Sequence, residues 1–99
     1  MNIVAITACP TGIAHTYMAA DKLEQVLEQA GHAVKIETQG AMGIENELTA
    51  DDLKWADLVI VAADISIVNA GRFEGMRTIQ VPVQDVLREP QSILTRLEE

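Results

Sequence analysis

The sequence has few basic residues, and this shortage excludes several kinds of partner. Among 99 residues, Lys and Arg number 7 whereas Asp and Glu number 15, which gives a net charge of -8 at pH 7. Affinity for nucleic-acid phosphates and for anionic membrane surfaces comes from clustered Lys and Arg. We therefore expect no nucleic acid and no lipid surface among the ligands of this chain.

Cysteine, histidine and long apolar runs are equally scarce. A single cysteine, Cys9, cannot form an internal disulfide, which is typical of a protein from a reducing cytoplasm. No uncharged apolar run approaches the roughly 18 residues that cross a bilayer, and the start at Met1 lacks the basic segment of a signal peptide. Cys9, His15 and His32 have neither the number nor the spacing of a zinc site. We expect a cytoplasmic protein with no metal and no cofactor.

Apolar periodicity predicts one α/β domain covering residues 1–99. The run at 2–8 is nearly continuous and β-branched, which is typical of a strand buried on both faces of a parallel sheet. Alternation of strands with helical segments predicts a small open parallel sheet of four strands, with helices on both faces. In the second strand, Lys35 and Glu37 alternate with apolar residues, as in a half-exposed strand. The predicted strands are 2–8, 33–38, 57–63 and 76–81; the helices are 14–30, 49–55 and segments after Pro82; 39–48 is a loop and 64–75 is irregular or weakly helical.

Cys9 ends the first predicted strand and precedes the first helix, where parallel sheets place their functional crevice. Backbone N–H groups at a helix N-terminus lack intrahelical partners and, with the positive end of the helix dipole, bind phosphate. The same field favours the thiolate form of Cys9, which makes it a candidate nucleophile for phosphorus. A buried structural cysteine is the alternative. The predicted phosphate-binding loop consists of Pro10, Thr11, Gly12, Ile13, Ala14, His15 and Thr16.

Several other residues have two interpretations each. Thr38 and Gln39 end the second strand beside the crevice and either line it or form a strand end and turn. His15 supports the bound phosphoryl group or caps the helix. Arg72 meets a partner or a phosphate or, as we favour, anchors the irregular segment by a surface ion pair or backbone contacts. We expect Met18, Met42 and Phe73 to form an exposed apolar rim for docking or, for Met18 and Phe73, to lie in the core.

The spacing after Cys9 permits a comparison with cysteine phosphatases. Protein tyrosine phosphatases resemble this arrangement, with a Cys, five residues, and then an Arg followed by Ser or Thr. Here His15 stands at the Arg position and Thr16 follows it. The bidentate clamp that Arg provides for phosphate oxygens is therefore missing. We favour a cysteine that passes the phosphoryl group on over one that serves hydrolysis.

Ten residues from Thr7 to Thr16, TACPTGIAHT, carry a resemblance to a known family. They resemble the active-site loop of the fructose-type enzyme IIB component of the bacterial phosphoenolpyruvate-dependent sugar phosphotransferase system. The resemblance covers essentially the whole chain and is weakest after Pro82. Tyr17 stands where Phe is more often expected. Further similar stretches, in the same order, are 34–40 (VKIETQG), 43–49 (GIENELT), Ala56-Asp57, and Arg72-Phe73 with Gly75.

The resemblance implies a phosphoryl carrier in sugar uptake. Cys9 would accept the phosphoryl group from a phosphohistidine of a IIA component and donate it to a fructose-like sugar bound by the membrane IIC component. The expected protein is a cytoplasmic monomer that meets IIC transiently at the inner face of the membrane. The alternatives are a regulatory IIB-like module that senses phosphorylation and, less favoured, a small cysteine phosphatase.

Overall fold

A computed structural model describes residues 1–9 and 14–98. Five strands form one sheet and helices pack on both of its faces, which confirms the predicted α/β class. The strands are β1 (Asn2–Ala8), β2 (Ala33–Gly40), β3 (Gly43–Glu45), β4 (Leu58–Ala63) and β5 (Thr78–Val81). The α-helices are α1 (Ala14–Gln29), α2 (Ala50–Trp55), α3 (Val83–Arg88) and α4 (Ser92–Leu97), and a 3-10 helix spans Ala70–Phe73.

The central strand of the sheet is β1, and the strand order is β3-β2-β1-β4-β5. It pairs in parallel with β2 on one side and with β4 on the other, and β5 continues the parallel arrangement beyond β4. Residues 3–8 of β1 are all buried. Their mostly apolar and β-branched side chains suit burial on both faces. The carboxyl end of β1 therefore opens at the middle of one edge of the sheet.

The prediction of four parallel strands was wrong by one strand. Gly43–Glu45, inside the segment interpreted as a loop, forms β3 and pairs antiparallel with the end of β2. Gly43 has a φ of 91°, a conformation that glycine adopts at little cost, and it pairs with Gly40 across the two-residue connection. All three residues of β3 are exposed. So short an exposed strand has no alternation of apolar residues by which the sequence could reveal it.

A hydrophobic core covers each face of the sheet. On the first, called the α1 face, α1, α3 and α4 pack over strand residues that include the fully buried Ile3 and Ile60. On the second, called the α2 face, the packed side chains come from the strands, from α2 and from the segment before β5. They include Val4 and Phe73, and Phe73 is only 6% exposed. Phe73 is therefore a core residue and not part of an exposed rim.

A capping box is present at the start of α2. Asp52 N–H donates to Thr49 Oγ1 at 3.1 Å, and Thr49 N–H donates to Asp52 Oδ2 at 2.9 Å. Lys35 Nζ, on β2, donates to Asp52 Oδ1 at 2.6 Å. The hydrogen bonds from Lys35 and from the Thr49 N–H lower the pKa of Asp52 to about 2. The box thus starts α2 and links its first turn to the sheet.

Candidate functional site

Cys9 follows the last residue of β1 and lies at the carboxyl edge of the sheet. It is 7% exposed and packs with the core of the α1 face. Ala8 pairs with Gln39 on β2 and with Ala63 on β4, and Asp64 N–H donates to the Ala8 carbonyl at 3.2 Å. The sheet register therefore places Gly40 and Asp64 at the positions on either side of Cys9. The neighbour on the β2 side is a glycine, which has no side chain.

The start of α1 lies beside the end of β1. Ala14 and His15 are exposed and Thr16 is fully buried. Thr7 Oγ1 donates to the Thr16 carbonyl at 3.1 Å, so a buried hydrogen bond joins β1 to the first turn of the helix. That turn holds no acidic residue, so no carboxylate there opposes an anion at the helix N-terminus. The other predicted loop residues, Pro10, Thr11, Gly12 and Ile13, lie outside the described residues.

Thr38 and Gln39 point to opposite faces of the sheet. Thr38 pairs with Thr7 in the β1–β2 register and so shares the α1 face with Cys9. It is 4% exposed, and its Oγ1 has no hydrogen-bond partner among the described residues. Gln39 lies on the α2 face, where it accepts a hydrogen bond from Val68 N–H at 2.8 Å and donates one to the Val68 carbonyl at 3.2 Å. The structure thus brings Thr38 to the Cys9 face and uses Gln39 elsewhere.

Arg72 forms a buried ion pair that the sequence did not reveal. Its Nη1 and Nη2 donate to the two oxygens of Glu37 at 2.8 and 2.6 Å, and the Glu37 side chain has no exposure. Arg72 therefore anchors the segment before β5, as favoured, but by a buried pair where a surface pair was expected. The expectation that Glu37 is exposed in a half-exposed strand was also wrong, because its carboxylate is buried on the α2 face of the sheet.

The Glu37 carboxylate is held by further hydrogen bonds. Leu48 N–H donates to Oε1 at 2.9 Å and Gln39 Nε2 donates to Oε2 at 2.7 Å. Burial alone would raise the pKa of Glu37, but the hydrogen bonds from Arg72, Gln39 and the Leu48 N–H outweigh it and lower this pKa. The ionised carboxylate consequently connects β2 to the segment before α2, through Leu48, and to the segment before β5, through Arg72. The alternation of apolar and polar residues along β2 indicated neither the burial of Glu37 nor its partner 35 residues away.

Asp64 stands at the position next to Cys9 and caps a helix from a distance. Its Oδ1 accepts a hydrogen bond from the Val83 N–H at 3.1 Å, at the start of α3. Pro82, the residue before that helix, supplies no side-chain cap. Beyond Asp64, an open groove of about 860 Å³ runs along the α2 face and is lined by Ile65, Ile67, Phe73, Glu74, Gln80 and Pro82, among others.

Neither a metal cluster nor a membrane span is found in the described parts of the chain. Within residues 1–9 and 14–98, no group of three or more His, Cys, Asp and Glu side chains is arranged to hold a metal ion. No helix in these two stretches is long and apolar enough to cross a membrane.

Comparison with known sequences supports the resemblance to fructose-type IIB components. Residues 4–96 match the family model described as the lactose/cellobiose-specific IIB subunit of the phosphotransferase system (PTS). The chain is 47% identical over 97 residues to the PTS fructose-like EIIB component 2 of Escherichia coli K12, covering 98% of this chain and 92% of the relative. It is 48% identical over 95 residues to the PTS fructose-specific EIIABC component of Bacillus subtilis, covering 96% of this chain and 15% of that longer protein.

Solved structures give the same result. A crystal structure described as a predicted fructose-specific IIB from Escherichia coli matches with a TM-score of 0.92 at 43% identity, covering 98% of this chain and 86% of the other. A domain of the fructose-specific IIABC component of Borrelia burgdorferi matches with a TM-score of 0.90 at 43% identity, covering 96% of this chain and 90% of the other. The similarity to fructose-type IIB components in sequence and in fold is thereby confirmed.

Proposed function

Because this chain belongs to the fructose-type IIB family of the phosphotransferase system, in which such domains transfer phosphoryl groups during sugar uptake, we propose that Cys9 carries the phosphoryl group. The observation that best supports this is the position of Cys9 at the carboxyl edge of the central strand, directly before α1. Functional crevices of parallel sheets lie at this edge. We further propose that residues 1–99 act as a single IIB domain.

The start of α1, beside Cys9, suits an anionic phosphoryl group. The 16-residue helix α1 directs its N-terminus, with no acidic residue in the first turn, towards this end of the sheet. We expect backbone N–H groups of the loop from Thr11 to Thr16 to bind the phosphoryl oxygens. Pro10 has no N–H and is expected to fix the shape of the loop. His15, exposed in the first turn, is expected to support the bound group, and Thr38 to line the site.

The first proposed step loads Cys9. Its sulfur attacks the phosphorus of a phosphohistidine on a IIA component, an S–P bond forms, and the N–P bond to the imidazole breaks. The proton lost from the thiol balances the proton gained by the departing imidazole nitrogen. The step is an in-line displacement, so that positioning and charge stabilisation by the protein matter most.

The second proposed step unloads Cys9 onto a fructose-like sugar bound by the membrane IIC component. A sugar hydroxyl oxygen attacks phosphorus, an O–P bond forms, and the S–P bond breaks. The hydroxyl proton balances the proton that restores the thiol. On this proposal the protein is a cytoplasmic monomer that acts as a protein-phosphohistidine–sugar phosphotransferase and contacts the inner face of the membrane only through IIC.

Peptide mapping tests this proposal directly. The protein is incubated with phosphoenolpyruvate, the general phosphotransfer proteins and a fructose-type IIA, then with IIC membranes and sugar. We expect one phosphoryl group on Cys9, lost when the sugar is added. A group on Cys9 that the sugar cannot remove would favour a regulatory module, and turnover of an aryl phosphate would favour a phosphatase. An unmodified Cys9 in the presence of active donors would refute the proposal.

A further inference from the structure

Exposed apolar side chains concentrate at the end of the molecule that holds Cys9. Of the six large hydrophobic residues that are exposed in the described chain, only Met1 lies at the opposite end of the sheet. The other five follow the carboxyl ends of β1, β2 and β4. We call them the apolar rim; they are Met18 (48% exposed), Met42 (69%), Ile44 (38%), Ile65 (45%) and Val68 (53%).

This concentration points to an interaction surface. Exposed hydrophobic residues are common when they are scattered singly, but a group of them around one position marks contact with another molecule. Met42 lies at the tip of the β2–β3 connection and Ile65 lines the groove next to Asp64. The rim therefore includes residues that follow both of the strands that neighbour β1.

Acidic side chains are interspersed with the apolar rim. Glu45 and Glu47 follow Ile44, Asp64 precedes Ile65, and Glu74 lines the groove; all four are exposed. We call these four residues the acidic rim. Glu45 accepts a hydrogen bond from the hydroxyl of Tyr17, which brings no positive charge to this carboxylate. A partner for this end of the molecule must consequently offer both apolar and positively charged groups.

Basic side chains do not balance this charge. Arg72, in the same segment as Glu74, is bound to Glu37 and its side chain is only 16% exposed. The remaining basic side chains lie elsewhere. Lys22 is halfway along α1, and Lys35, within β2, is paired with Asp52. The last turns of α2, α3 and α4 hold Lys54, Arg88 and Arg96, and Arg77 lies just before β5.

We propose that the apolar and acidic rims together form the docking surface for the cytoplasmic loops of the membrane IIC component. This inference rests on the proposed function, which requires Cys9 to reach a sugar held in that component. Cytoplasmic loops of membrane proteins are enriched in Lys and Arg, and these charges complement the acidic rim. The anionic lipid around such a protein repels the same rim, so the attraction is to the permease and not to the bilayer.

Charge reversal at the rim tests the proposal. The variant Glu47→Lys with Glu74→Lys changes two exposed rim residues whose side chains form no hydrogen bond or ion pair among the described residues. Its matched control is Glu28→Lys with Glu98→Lys, which changes the net charge equally at the other end of the molecule. Glu28 lies in the last turn of α1 and Glu98 follows α4, whose final carbonyl, that of Leu97, accepts a hydrogen bond from Arg77 just before β5.

Two half-reactions are measured for each variant: phosphorylation of Cys9 by phospho-IIA, and its discharge by permease vesicles with sugar. We expect the rim variant to lose about tenfold in discharge rate at low salt while keeping its phosphorylation rate, and the control to keep both rates. The difference should shrink above about 0.1 M salt, where the Debye length falls below about 10 Å. Vesicles of the same lipid without permease should bind neither the wild type nor the control.

Several outcomes would overturn the proposal. Equal discharge by the rim variant and the control would show that the rim does not bind the permease. Slowing of the phosphorylation step alone would assign the surface to the IIA donor. Equal slowing of both steps would show that the surface is not specific to the permease. A concentration-dependent dimer that the rim variant abolishes would assign it to a second copy of the chain. If phospho-IIA fails to phosphorylate the wild type, the proposed function itself is wrong.

A second variant tests the apolar part of the surface. Met42→Ser with Val68→Ser shortens two exposed side chains and leaves every charge unchanged. We expect slower discharge that persists at high salt, because burial of apolar area is not screened by ions. Wild-type discharge at every salt concentration would contradict a role for the apolar rim.

Discussion

At the carboxyl end of the central strand, the two faces of the sheet use their polar side chains differently. On the α2 face, the Glu37 carboxylate accepts four hydrogen bonds, from Arg72, Gln39 and the Leu48 N–H. On the α1 face, beside Cys9, the Thr38 hydroxyl is buried with no partner among the described residues.

This difference separates structure from proposed chemistry. A buried polar group without a partner costs free energy, so that most such groups in native proteins are paired. The acceptor groups of Glu37 are satisfied within the fold, which is what a structural role requires, and only Nε of the Arg72 guanidinium is buried without a partner among the described residues. Thr38 keeps hydrogen-bonding capacity on the face of the nucleophile, which is what a ligand-binding role requires. Substitutions on each face of the sheet test this division.

The largest effect is expected from Cys9→Ser. A serine hydroxyl does not supply the thiolate nucleophile, so phosphoryl transfer from phospho-IIA should fall by more than about a thousandfold. Serine is similar in size to cysteine, so the variant should fold normally. Quench-flow measurement of protein phosphorylation checks the rate, and urea denaturation checks the fold. Transfer at the wild-type rate would remove Cys9 from the mechanism.

On the opposite face, Arg72→Met should chiefly affect stability. It leaves a buried carboxylate uncompensated, and we expect a loss of about 3–5 kcal/mol in the free energy of unfolding. Replacing both partners, with Glu37→Leu added, should recover part of this loss because the isolated charge is gone. Urea denaturation of both variants, with the exposed Arg88→Met as control, makes the measurement. A double variant less stable than the single one would contradict this account of the pair.

On the Cys9 face, Thr38→Val and Thr7→Val should separate binding from stability. Thr38→Val removes a hydroxyl that has no partner among the described residues, so we expect unchanged or slightly higher stability and about tenfold slower transfer to Cys9. Thr7→Val removes the hydrogen bond to the Thr16 carbonyl and should cost about 1 kcal/mol of stability. Denaturation and transfer kinetics are measured together. Thr38→Val with wild-type kinetics would exclude Thr38 from the site.

The smallest expected effect is the dependence of stability on acid pH. The pKa of Glu37 in the folded protein lies below its ordinary value of 4.5, so as pH falls the unfolded chain takes up this proton first. The stabilisation by ionised Glu37 is complete above pH 4.5 and is lost as pH falls through the lower folded value. For Asp52 the corresponding window runs from 3.8 down to about 2.

Unfolding free energies measured across this range test the assignment. Glu37→Gln should show a shallower loss of stability below pH 4.5 than the wild type, and Asp52→Asn a shallower loss only below pH 3.8. Glu28→Gln, which removes an exposed carboxylate in the last turn of α1, serves as the control for the loss of one negative charge. A Glu37→Gln curve parallel to that of the wild type would show that this carboxylate does not titrate with unfolding.

Much of the fold could be predicted because its signals are local. The buried run of β1, the helical spacing of α1 and the capping box of α2 each depend on residues close together in the chain. The three-residue strand β3 was missed because it depends on pairing with β2 and has no pattern of its own. The ion pair of Glu37 with Arg72 was missed for a similar reason, since it joins residues far apart in sequence.

The candidate site divides in the same way. The class of the fold, the position of Cys9 between a strand and a helix, and the family resemblance could all be inferred from the sequence, because periodicity and motif spacing are properties of contiguous residues. The folded structure was needed to show that Thr38 shares a face with Cys9 while Gln39 does not, and that acidic and apolar side chains lie at the Cys9 end. These facts depend on which strands become neighbours and in which register, and side-chain alternation then assigns each residue to a face.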